Sequence, residues 1–286
     1  MKKLIIMIVL IAAVGSQYVF AQRNLHEFSI YGGGGLSTLI YDLSVGDRNN
    51  GFGGDFGVGY TFSRSNEQVT STGRIFRKNW GVYTGIGLGT YRAKAKLDVK
   101  NLTTYNLTDI ENDDFDIKTT FTEYTEIQSA MCLNIPVMLQ LQFRQFYFMG
   151  GFKFVVPVNA NYSASDVSLT NEGYYPRYKN WTKTQTFAGF GKFEGQDYVD
   201  KIELGPNVML ALESGMKWRL NNGLSLFTGI YFDYGLSNAY HGSQKYFINY
   251  NPEDPEHFST NSVLSLNADR VKLMGIGLKL RLTMER

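Results

Sequence analysis

"LSLFTGIYFDYGLSNAY", Leu224 to Tyr240, separates into two sets when every second residue is taken. Leu224, Leu226, Thr228, Ile230, Phe232, Tyr234 and Leu236 share one face, while Ser225, Phe227, Gly229, Tyr231, Asp233, Gly235 and Ser237 share the other. A period of two belongs to a strand, not to a helix. The apolar face needs either a protein core or acyl chains against it. The remainder of the chain bears on that choice.

The same alternation recurs in seven further runs: His26–Tyr41, Phe52–Phe62, Asn79–Leu97, Lys118–Phe143, Phe146–Tyr162, Ile202–Leu220 and Arg270–Met284. Phe146, Phe148, Phe152, Phe154, Val156 and Val158 alternate with Tyr147, Met149, Lys153, Val155 and Pro157. Met131, Leu133, Ile135, Val137, Leu139, Leu141 and Phe143 form another uncharged row, as do Met274, Ile276, Leu278, Leu280 and Leu282. Such rows are about as long as a tilted strand needs to cross a hydrocarbon layer. Backbone groups in lipid must be paired within the protein, so the sheet has to close.

The connections alternate too. Gln142–Gln145 and Leu220–Gly223 are tight turns, the second carrying hairpin chemistry in Asn221-Asn222-Gly223. Asp42–Gly51, Asp98–Ile117, Ser163–Lys201 and His241–Asp269 are long, and Ser63–Lys78 is the exception on the short side. Short turns at one rim and long loops at the other are expected of outer-membrane barrels. The expected fold is therefore all-β: a single closed, antiparallel, up-and-down transmembrane β-barrel of eight strands. Pro136 should mark a bulge. Ten strands is the alternative, if Lys118–Gln128 and Ala130–Phe143 are separate or Lys179–Gly195 adds a strand.

The chain has 286 residues, with Gly 30, Tyr 19 and Phe 20 but Pro 6 and Cys 1. Its mean hydropathy is −0.21, so no helical membrane protein is implied. "MKKLIIMIVLIAAVGSQYVFAQ" combines Lys2 and Lys3 with an apolar Leu4–Val14 and a cleavage pattern ending at Ala21. It reads as a signal peptide over residues 1–21, leaving a barrel domain over 22–286. Losing Lys2 and Lys3 from 28 basic residues leaves 26 against 26 acidic ones, so nucleic acid is not an expected partner. Cys132 is the single cysteine, so no intrachain disulfide forms.

The inner face carries Asp55, Glu126, Lys153, Glu203, Glu213, Lys217, Arg219, Asp233, Lys279 and Arg281. Charges inside a narrow barrel must pair or meet water. Glu126, Lys153, Glu213, Lys217, Lys279 and Arg281 are the expected interior ion-pair network. Glycines on the same face, among them Gly59, Gly87, Gly151, Gly229 and Gly275, should leave room for Tyr83, Tyr91, Tyr147 and Tyr231. His26, His241 and His257 are scattered and form no metal pattern. "GGGG" at Gly32–Gly35 lacks the lysine and helix of a phosphate loop. No catalysis, metal or cofactor is expected. In the long loops Tyr174, Tyr175, Tyr178, Trp181, Tyr246 and Phe247 are the binding candidates, near Arg177, Lys179 and Lys183.

"CLNIPVMLQLQF" followed by "FYFMGGFKFVVP" resembles the small outer-membrane barrels of Bacteroidota, including the PorT type, and more loosely the OmpA transmembrane barrel. The match lies in an apolar strand with Ile135-Pro136, a tight turn and a glycine-bearing strand. The resemblance covers about Phe28 to Met284. It implies an outer-membrane location and assembly by the barrel-insertion machinery, with protein secretion linked to the PorT type. Two features depart from it. Wall anchoring is not expected, since the sequence runs only two residues past Met284, and it ends "LTMER" rather than on an aromatic residue. The expected function is an integral outer-membrane barrel with a structural or loop-mediated binding role. Its expected partners are outer-membrane lipid and an extracellular protein or glycan. A narrow pore for ions or small solutes is one alternative, and a soluble, lipocalin-like periplasmic barrel is another.

Overall fold

The computed structural model describes residues 23–43, 46–69, 75–97, 101–221, 223–242, 246–266 and 270–285. Residues 1–21, where the sequence predicts a signal peptide, lie outside them. Eight long strands follow the alternating runs: β1 (Arg23–Ile40), β2 (Phe52–Val69), β3 (Ile75–Leu97), β4 (Asp114–Phe143), β5 (Phe146–Tyr175), β6 (Asn207–Arg219), β7 (Leu224–Gly235) and β8 (Lys272–Glu285). Each pairs antiparallel with its neighbour in sequence. β8 then returns to β1 along Glu27↔Glu285 through Ile40↔Lys272, which closes the ring at eight strands.

Closure is continuous because the sequence supplies few interruptions. β4 runs unbroken over 30 residues, so Lys118–Gln128 and Ala130–Phe143 are not separate barrel strands. Asn180–Thr182 and Gly191–Lys201 do pair with β5, but outside the ring, so the ten-stranded alternative does not hold. The bulge expected at Pro136 sits elsewhere. Pro136 keeps register opposite Lys153, whereas a shift occurs between Met131 and Cys132, where Cys132 faces Pro157. Across β3, Thr84↔Val137 and Gly87↔Asn134 keep one register while the rungs between them, beside Pro136, drop out. A proline without an N–H costs a rung there, not a register step.

The long connections are less loop-like than their sequences suggest. Asp47–Asn50 pairs with β3 and Leu102–Thr108 with β4. β5 itself continues to Tyr175. β4 and β5 thus rise well beyond the ring, each spanning about 100 Å if fully extended. The connection placed at Ser63–Lys78 is mostly strand, since β2 and β3 stay paired to Val69↔Ile75 and residues 70–74 lie outside the described set.

The faces divide cleanly. Phe148, Leu139 and Ile230 are 47%, 61% and 61% exposed on the outside. Tyr147, Gln140 and Tyr231, one residue away in each case, are buried inside. The outer apolar rows run from Trp80 to Leu88 on β3, Met131 to Phe143 on β4 and Phe146 to Val158 on β5, and all eight strands contribute to the belt. The wall bends tightly where glycine replaces a side chain. A Cβ on Gly59 would lie 2.4 Å from Tyr83 Oη, and one on Gly229 would lie 2.4 Å from Tyr147 Oη. Tyr83 reaches over the adjacent strand β2 and Tyr147 over β7, two strands away, where glycine leaves room for the ring.

Candidate functional site

Inside the belt the lumen is filled by charge. Reading upward from the short-turn end, Lys217 Nζ donates to Glu27 Oε1 at 2.6 Å and to Glu285 Oε1 at 2.9 Å, joining β6 to β1 and β8. Above it, Arg281 lies over Phe227, Tyr83 and Tyr147 at 4.5, 4.9 and 5.4 Å. The chain of opposite charges then continues: Arg281–Glu213 at 3.4 Å, Glu213–Lys279 at 3.5 Å, Lys279–Asp55 at 3.4 Å and Asp55–Lys153 at 3.9 Å. Lys153 ends it on Asp233. Alternation of sign lets each buried ion face its counter-ion, and stranding one would cost several kcal/mol. Tyr147 adds a hydrogen bond to Glu213 Oε1 at 2.9 Å.

The structure therefore brings Lys153, Glu213, Lys279 and Arg281 into one network and seats Lys217 in a neighbouring one. Sequence reading missed Glu27, buried near the start of β1, although it shares the parity of the inward Ser29 and Tyr31. Glu203 and Arg219, placed on the inner face by parity, are exposed. Both lie at or beyond a strand end, where parity no longer fixes direction.

Glu126 is corrected. It has no cationic partner among the described residues and belongs to a cap above the belt. Four donors hold its carboxylate: Ser262 Oγ at 2.5 Å, Val263 N at 2.9 Å, Gln128 Nε2 at 2.9 Å and Tyr124 Oη at 3.1 Å. Burial raises its pKa, against the lowering effect of those hydrogen bonds. Ser262 and Val263 open a short 3-10 turn in the connection between β7 and β8. That connection folds inward, with Ile248–Asn249 paired to Ser259–Thr260. Phe247, Ile248, Phe258, Val263 and Leu264 pack with Tyr124, Tyr162 and Leu169 over the barrel mouth. Tyr162 Oη bonds the Thr260 carbonyl. The longest apolar stretch of the connection is thus spent as a plug.

The loop aromatics separate accordingly. Phe247 is buried in the plug, against Tyr124 at 5.2 Å and Phe121 at 5.7 Å, so it is not a surface binding residue. Tyr175 is half-buried against Phe115 at 5.3 Å and donates to Asp109 Oδ2 at 3.1 Å. Tyr178 donates to Asp113 Oδ2 at 2.8 Å, beside an Arg177–Asp113 pair at 2.7 Å. Tyr174 and Trp181 form an outward pair, 5.0 Å between ring centres, and Tyr246 is also exposed. The histidines stay apart: His26 Nδ1 meets Tyr60 Oη at 2.6 Å, His241 Nδ1 meets the Ala239 carbonyl and His257 meets Asp254. None is hydrogen-bonded to a serine among the described residues.

No family model and no curated protein matches the chain. Among solved structures it is similar to the translocator domain of autotransporter NalP from Neisseria meningitidis, at 7% identity over 97% of this chain and 93% of that one, with a TM-score of 0.18. A likeness of that size carries no argument.

Proposed function

We propose that the protein is an integral outer-membrane β-barrel whose lumen is closed and whose long-loop end presents a binding surface. One observation carries this reading: a closed ring turns its apolar rows outward and its lysines, arginine and carboxylates inward. Water would tolerate the reverse arrangement, and a lipocalin-like barrel has it. Hydrocarbon tolerates only this one, because the closed ring pairs its strands with one another and the charges level with the apolar rows lie inside. The short-turn end is then periplasmic and the tower of β4 and β5 extracellular.

The role is structural and adhesive rather than conductive or catalytic. The buried charge ladder and the apolar plug lie in series along the lumen, which speaks against the pore alternative. Tyr174, Tyr178, Trp181 and Tyr246 remain as the loop residues available to an extracellular protein or glycan. The PorT-type resemblance stays part of the proposal, carried by Ile135-Pro136, the tight turn and the glycine-bearing strand after it.

Fractionation tests the location. The protein should remain with outer membranes after carbonate washing and show faster gel mobility unboiled than boiled. Recovery in the soluble periplasm would end the proposal. Planar bilayers test closure, and reconstituted barrel should give no steady conductance.

A further inference from the structure

The outer face of β3 changes character once, and abruptly. Trp80, Val82, Thr84, Ile86, Leu88 and Thr90 lie along the belt, after which Arg92, Lys94 and Lys96 occupy three successive outward positions. The strand register extends the first of these sideways. Arg92 pairs with Ser129, Ser129 with Asn161 and Asn161 with Lys201, giving one row across four strands. Three inter-strand steps separate its end cations by about 14 Å. The row directly beneath it is Thr90, Met131 and Asn159, the upper margin of the belt. Lys96 is matched by Glu123 at 2.9 Å. Arg92, Lys94 and Lys201 are exposed and have no ion pair among the described residues.

We infer that this shelf binds the phosphorylated sugar headgroup of an outer-leaflet lipid. The inference rests on the membrane reading above and deepens it by naming the lipid chemistry. Its position chooses the occupant. Side chains just above the belt, on the lateral wall, would meet the headgroups of lipids whose acyl chains lie along Met131 and Leu133, below Ser129 on β4. Arg92, Lys94 and Lys201 supply charge to phosphates, while Ser129 and Asn161 between them supply hydrogen bonds suited to sugar hydroxyls. A plain solvated face would have no reason to bracket two neutral polar residues with unmatched cations at the margin of the belt.

The test titrates a bisphosphorylated diglucosamine lipid (lipid A) against full-length barrel in mild detergent, read by native mass spectrometry, with phosphatidylglycerol as comparator. Near an anionic surface each basic residue contributes roughly fivefold in binding. R92Q/K94Q/K201Q should therefore bind lipid A on the order of 100-fold more weakly, while R92K/K94R/K201R binds as the parent does. Unboiled gel mobility checks that both variants are folded. Parent-like binding by the neutral variant overturns the inference, and so does equal affinity of the parent for phosphatidylglycerol. A barrel that enters vesicles yet shows neither preference loses only this inference. A barrel that never enters vesicles loses the membrane reading beneath it.

Discussion

Arg281 meets Glu213 in the barrel interior, Nη2 to Oε1 at 3.4 Å, with the two side chains 1% and 3% exposed. No other carboxylate lies within 4 Å of the guanidinium among the described residues. The rings of Phe227, Tyr83 and Tyr147 also surround the guanidinium, and aromatic faces attract a cation. Glu213 also faces Lys279, but Lys279 has Asp55 as a second partner, so Arg281 depends on Glu213 more than Lys279 does.

Glu213→Gln should accordingly cost about 3–5 kcal/mol of stability, the range for breaking one partner of a buried pair. Urea unfolding of the reconstituted barrel measures it. Adding Arg281→Met removes the stranded guanidinium and should recover part of the loss. If the double variant is less stable than E213Q alone, Arg281 is not held chiefly by Glu213.

Gly59→Ala should destabilise the barrel by about 1–3 kcal/mol, as overpacking does. The three nearest atoms to the new Cβ would all belong to the Tyr83 side chain, at 2.4–2.7 Å. Tyr83→Leu in the same chain should relieve the clash. A Gly59→Ala barrel with unchanged unfolding would mean that the glycine serves curvature and not the tyrosine.

Two aromatic truncations at the long-loop end should part company. Phe247→Ala empties a buried site and should cost the plug about 3–5 kcal/mol. Trp181→Ala, on the exposed Tyr174–Trp181 pair, should fall within about 0.5 kcal/mol of the parent. Protease cleavage in the 246–266 segment reports the first, and thermal loss of the unboiled gel form reports both. Equal effects would contradict the division between plug and surface.

The plug should also respond to pH. Burial raises the Glu126 pKa, so the folded chain binds that proton more tightly than the unfolded chain does. Its contribution is fully present below the unfolded value and is lost as pH rises through the folded one. The other titratable groups acting on it are Tyr41, Tyr124, Tyr162 and Tyr240, all raised and therefore neutral in this window. Amide exchange at Val263 and Leu264, corrected for intrinsic rate, should show protection falling as pH rises above the ordinary glutamate range. Glu126→Gln should remove that dependence. A pH-independent parent would place the latch elsewhere.

Strand direction was legible in the sequence because parity is a local property. Leu224 to Tyr234, Phe146 to Val158 and Met274 to Leu282 assign their own faces once a strand is assumed, and the structure keeps all three assignments. Parity failed at Glu203 and Arg219, where the ladder ends and nothing holds alternate residues to opposite sides. It also could not say which loop residues fold inward. Phe247 and Tyr246 are adjacent and both aromatic, yet one is buried under the plug and the other faces outward.

By itself the sequence determined the alternation and which face of each strand is apolar, since these follow from residue spacing along a single strand. Only the tertiary structure decided who meets whom. Glu126 leaves the ion network for Ser262 because the chain between them returns over the barrel mouth. Lys217 reaches Glu27 across 190 positions because β8 closes on β1. Pairing of buried charges depends on register around a closed ring, and register is set by every strand at once.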